Sequence, residues 1–112
     1  MHDLGTAPAP SSFDISVLCI ALEDFVKAPK ANNLPKWKKS QISSQAVITK
    51  EKLENREKDF CARDVQAMLA ATVFMLDKLD KIEDPDKDIK RLIYACERNL
   101  NFCEDFFDRI PM

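Results

Sequence analysis

The sequence predicts an all-α fold, an antiparallel helical bundle of three long helices with a short fourth segment, centred on a long helical hairpin. Three observations carry that expectation. Apolar residues recur in steps of four and three at Cys61, Val65, Met68, Thr72, Met75, Leu79 and Ile82, a heptad register that keeps one helical face apolar. The same steps recur at Ile89, Ile93, Cys96, Leu100, Cys103, Phe107 and Ile110, and only Asp84-Pro85-Asp86 separates the two runs. Two matched registers joined by so short a turn imply an antiparallel pair. Finally, the only glycine is Gly5, near the N-terminus. Tight hairpins, P-loops and dinucleotide-binding turns need glycine at positive φ or where a phosphate nears the backbone, so those architectures are not expected.

Taken in order, residues 1–11 read as a flexible leader, small and proline-punctuated from Thr6, and 12–112 as a single helical domain. Ser12 is the expected N-cap of a first helix, with Ile15, Leu18, Leu22 and Phe25 on its inner face and Val17, Ile20, Ala21 and Val26 widening it. Ala28-Pro29 ends that helix, because a residue before proline is pushed out of the α region.

The segment from Lys30 to Thr49 supports two readings: a loop through Asn32-Asn33-Leu34-Pro35, followed by either more loop or a short helix over 35–48. A long helix is then expected from Thr49 or Lys50 to Glu83. Asp84 is expected to cap the last helix, with Pro85 in its first turn and Asp86 and Asp88 at its positive end. A second stripe on that helix, Leu92, Ala95, Phe102 and Phe106, and the apolar Leu69, Ala70, Ala71, Val73 and Phe74 need further cover. The first helix supplies it, or else a homodimer does. The strings Glu23-Asp24-Phe25 and Glu104-Asp105-Phe106 echo each other at two helix ends, a resemblance that helical patterning produces without duplication.

A chain of 112 residues, 46% apolar and 32% charged, matches an ordinary globular domain that needs no disulfide or metal to fold. The net charge of −2 gives no global attraction to nucleic acid or an anionic membrane. No secretory signal pattern opens the chain and no membrane association is expected, so a cytoplasmic location is the default. Four dispersed cysteines within apolar patterns, Cys19, Cys61, Cys96 and Cys103, fit buried free thiols in a reducing compartment.

The side-chain inventory argues against catalysis. The only histidine is His2, which removes histidine-dependent triads, HExxH zinc sites and Glu-x-x-His di-iron pairs. Cys96 and Cys103 lie about 10 Å apart along one helix, too far to share a zinc ion. Asp84-Pro85-Asp86-Lys87-Asp88 begins like a calcium loop but has Ile89 where the loop needs glycine and Ala95 where it needs glutamate. The acidic pairs Glu104/Asp105 and Asp77/Asp80 fall away from the heptad seam, where solvated carboxylates do no acid–base work. No catalytic residue, metal or cofactor is therefore expected.

Two surfaces remain as partner-binding candidates. Between Lys27 and Lys50 there is no acidic residue, and Lys36, Lys38 and Lys39 surround Trp37, the sole tryptophan. Such a ring among cations grips an acidic protein surface or stacks on a nucleic-acid strand, unless it tucks onto the bundle while the lysines solvate the loop. The second surface is the acidic end of the last helix, Glu97, Glu104, Asp105 and Asp108, where negative charge opposes the helix dipole and Arg98 and Arg109 offset it. The expected function is a non-catalytic protein-binding module. Helical hairpins of this kind serve as inhibitors, immunity or antitoxin proteins, chaperones and adaptors, which is an analogy of fold alone. The alternatives are a nucleic-acid-binding regulator using residues 36–39, or a helical subunit of a multichain enzyme.

Overall fold

The computed structural model describes residues 11–28, 35–57 and 59–109. The leader 1–10 with His2, and the positions of Lys30, Leu34 and Ile110, lie outside the described residues. The fold is all-helical, with four helices and no strand among the described residues: α1 (Ser12–Lys27), α2 (Lys36–Glu54), α3 (Ala62–Asp80) and α4 (Lys87–Arg109).

Ser11, one residue earlier than expected, caps α1; its Oγ accepts from the Asp14 N–H at 3.2 Å. Extended Ala28 ends the helix before Pro29, as expected of a residue preceding proline. The short fourth segment is a full helix of 19 residues that runs past Ile48 to Glu54. The single long helix expected from Thr49 or Lys50 to Glu83 is broken: its first residues belong to α2, and the chain turns between Asn55 and Cys61. Arg56 takes φ 59°, the Arg56 N–H donates to the Leu53 carbonyl (3.1 Å) and the Glu57 N–H to the Lys52 carbonyl (3.0 Å). That is a Schellman stop with arginine in the left-handed position that glycine normally fills.

Helix α3 restarts at Ala62, with Asp64 in its first turn reaching back to the N–H of Cys61 (3.0 Å). Cys61 is therefore an exposed cap residue and not a core position, and Ile82, beyond the end of α3, is 42% exposed. Within the helix, Val65, Met68, Thr72, Met75 and Leu79 are buried as the heptad requires. At the tight turn Asp84 adopts φ 49°, a conformation aspartate tolerates, and Asp86 is the residue that caps α4: its Oδ1 accepts from the Ile89 N–H at 2.9 Å.

Helices α1 and α3 touch each other and both neighbours, whereas α2 and α4 do not pack on one another among the described residues. The bundle is thus a central α1/α3 pair flanked by α2 on one side and α4 on the other. Leu18, Leu22, Phe25, Val65, Met68, Ala95, Cys96 and Cys103 form one continuous core. Phe25 and Phe74 meet edge to face with ring centroids 5.8 Å apart. Ile20 and Val73, expected to be covered, face outward.

Two buried carboxylates tie the layers together. Asp64 accepts from Thr49 Oγ1 (2.6 Å), Gln45 Nε2 (2.7 Å) and Lys52 Nζ (2.7 Å), so α2 is held against the start of α3. Asp14 receives a two-pronged bond from Arg98, at 2.9 and 2.8 Å, while Asn99 Nδ2 donates to the Asp14 carbonyl (3.1 Å). This second tie fixes α1 on α4.

Candidate functional site

The acid-free stretch forms the first half of α2. Pro35 precedes the helix with no side-chain cap, and its first turn holds no acidic residue, so the positive helix end and the lysines reinforce one another. Lys39 is committed inward. Its ammonium donates to the Ala28 carbonyl and lies 5.9 Å from the centre of the Phe25 ring, which fixes the start of α2 against the end of α1. Lys36 and Trp37 are exposed, and Lys38 Nζ sits 5.9 Å from the Trp37 ring centre.

Trp37 is 63% exposed, which settles the choice left by the sequence in favour of an outward ring. Ile48, 50% exposed, lies eleven residues on; eleven residues make three turns, so both side chains fall on one stripe about 16 Å long. Small polar residues, Ser40, Gln41 and Ser44, lie between. Val47, 55% exposed, lies about a quarter-turn round the helix, on the α1 side with Glu23, Glu51 and Glu54. Beside this stripe a groove of about 430 Å³ runs between α2 and α3. Lys38 and Arg63 reach it from opposite helices, Gln41 and Gln66 line it, and no carboxylate does among the described residues.

The other flank of α2 differs. Its groove against α1, about 450 Å³, is lined by Ile15, Cys19, Ile20 and Leu53, and it carries the acids Glu23 and Glu54 paired with nearby lysines, beside Arg56. Glu23 pairs with Lys27 (2.7 Å) and lies 4.0 Å from Lys50, and Lys50 pairs with Glu54 (3.1 Å).

The four acidic candidates all lie on α4. Glu97, Glu104 and Asp108 are exposed; Asp105 is half-buried and paired with Arg109 at 3.0 Å. Arg98, expected to offset this charge, is instead spent on Asp14. The structure does not bring the basic and acidic candidates together: they occupy opposite flanks.

The ionisable groups with displaced affinities are locked rather than reactive. The Arg98 hydrogen bonds hold the Asp14 carboxyl below the usual range. Burial works against ionisation of Asp64, but hydrogen bonds from Lys52, Thr49, the Cys61 N–H and Gln45 outweigh it and hold this carboxyl far lower still. Burial pushes the Cys96 thiol up to about 11 and the Cys103 thiol to about 12, so both stay protonated and inert at neutral pH. Among the described residues no three metal-ligating side chains converge, and no helix is long and apolar enough to cross a membrane.

Arg63 and Gln66 were not among the residues the sequence singled out. They lie in another helix, and only the packing of α2 on α3 brings them beside Lys38. Comparison with protein-family models, curated proteins and solved structures yields no match.

Proposed function

We propose that this protein is a non-catalytic binding module, of the inhibitor, adaptor or chaperone kind, that holds an acidic protein surface against the outer stripe of α2. One observation carries the reading: the sole tryptophan and Ile48, on one face of one helix, stand half or more exposed beside an acid-free, cationic groove. Isolated exposed apolar residues are ordinary. Here they share one helix face, and an aromatic anchor rimmed by cations is the composition of a binding hot spot for a carboxylate-bearing partner. The buried thiols of Cys96 and Cys103 and the hydrogen-bonded carboxylates of Asp14 and Asp64, held below the usual range, support a role without covalent or acid–base chemistry at these groups.

The test is capture from native lysate with two baits, the natural protein and a Trp37→Ala/Lys38→Glu variant. The expected result is an acidic protein that co-purifies with the first bait, is eluted by salt and is missing from the second. Identical sets on both baits contradict the reading.

The exposure of Trp37 also favours one alternative, a short single strand of nucleic acid stacked on the ring. That reading predicts binding to an oligothymidylate at low salt that weakens steeply as salt rises. The absence of binding at low salt eliminates it.

A further inference from the structure

The acidic partner of α2 has a counterpart on the molecule itself. On α4, Tyr94, Glu97, Asn101, Glu104 and Asp108 recur in steps of three, four, three and four, and all five are exposed. Tyr94, the sole tyrosine, is 56% exposed at one end of this stripe. Glu97, Glu104 and Asp108 have no ion-pair partner among the described residues, and the same holds for Lys36 and Lys38 on α2. Because α2 and α4 flank opposite sides of the α1/α3 pair, one copy cannot bring the two stripes together.

We propose that the acidic outer face of α4 in one copy docks antiparallel on the basic outer stripe of α2 in a second copy, giving a salt-sensitive, head-to-tail self-association. The register follows from the spacing. Trp37 to Ile48 spans eleven residues and Tyr94 to Glu104 spans ten, both about 15–16 Å. Setting Ile48 against Tyr94 places Trp37, Lys36 and Lys38 against Glu104 and Asp108. This orientation also brings the uncapped, acid-free N-terminus of α2, where the helix dipole is positive, beside the acid-bearing C-terminal end of α4, where it is negative. The two patches are different surfaces, so the contact is heterologous and extends from copy to copy rather than closing on a two-fold axis. It rests on the reading that the α2 stripe is a contact surface, and it adds that α4 mimics the partner and competes for that stripe.

Sedimentation of the full chain over a concentration series, at about 10 mM and about 1 M salt, tests this. The expected result is a mass that rises with concentration at low salt and returns to the 12.8 kDa monomer at high salt. Lys36→Glu/Lys38→Glu and Glu104→Lys/Asp108→Lys variants are each expected to remain monomeric at low salt, and an equimolar mixture of the two to associate, because the unaltered α4 of the first meets the unaltered α2 of the second and the two reversed stripes also complement each other. Recovery in the mixture also demonstrates that both variants are folded. A natural protein that is monomeric throughout, association that survives high salt or either reversal, or a mixture that stays monomeric overturns the proposal. Capture of a partner lost with the Lys36→Glu/Lys38→Glu bait but unchanged with Glu104→Lys/Asp108→Lys, together with a monomeric natural protein, sinks the self-association and leaves the α2 surface standing.

Discussion

Asp64 shows how one side chain decides whether two helices pack. It is fully buried and ionised, and each of its lone pairs is used by a donor from α2 or by the N–H of Cys61. Truncating it strands Thr49 and Gln45 in the interior, so Asp64→Ala is expected to destabilise the fold by about 3 kcal/mol, and Asp64→Asn by less, in urea unfolding. Asp14 and Asp64 are both held below the ordinary carboxylate range, so on acidification the unfolded chain binds protons first. Their contribution is complete above about pH 5 and is lost as pH falls through about 4 toward their lowered folded values. Urea midpoints measured between pH 7 and 3 should fall accordingly, and more shallowly in Asp64→Asn. Trp37 is the opposite kind of residue. With most of its surface in solvent and Lys38 beside its ring, Trp37→Ala is expected to change stability by no more than about 0.5 kcal/mol while abolishing partner capture. Loss of stability in that variant places the ring in the core.

At the scale of elements, α3 and α4 were legible in the sequence because their apolar residues keep one period and that period is what burial selects. Helix α2 was not. Its apolar residues divide between an inner face, Ile42, Ala46 and Leu53, and an outer one, Trp37, Val47 and Ile48, so no single stripe marks it. The break after α2 was hidden for a related reason. Its left-handed residue is Arg56, not glycine, and Cys61 extended a heptad across a turn that the Asp64 bond to its N–H terminates. Replacing Arg56 by glycine removes the left-handed penalty of a β-carbon; Arg56→Gly is expected to raise stability by about 0.5–1 kcal/mol in urea unfolding. Ser43 sits on α2 with its hydroxyl buried and without a hydrogen-bond partner among the described residues. Ser43→Ala, which removes that group and improves helix propensity, should be neutral or stabilising by up to about 1 kcal/mol in the same assay.

For the whole molecule, a central α1/α3 pair with α2 and α4 outside it explains why the charged faces point apart. Phe25, in the last turn of α1, is fully buried against Phe74 of α3. Phe25→Ala is expected to cost about 3–5 kcal/mol in a single cooperative unfolding transition. Of the site, the sequence exposed the lysines and the tryptophan, because an acid-free run of that length is visible in one dimension. Arg63 and Gln66 became visible only when α3 was folded against α2. The separation of Lys36 and Lys38 from Glu97, Glu104 and Asp108 across the bundle is likewise a property of the packing, since spacing along the chain carries no information on which flank each helix takes. Partner binding requires the outer stripe of α2 to be free of the protein's own core, and Trp37, as the only tryptophan, reports on that directly. Its fluorescence in the native monomer at about 1 M salt, with and without iodide, is the decisive measurement. Emission close to that of the urea-unfolded chain and readily quenched is the predicted result; a blue-shifted band shielded from iodide contradicts it.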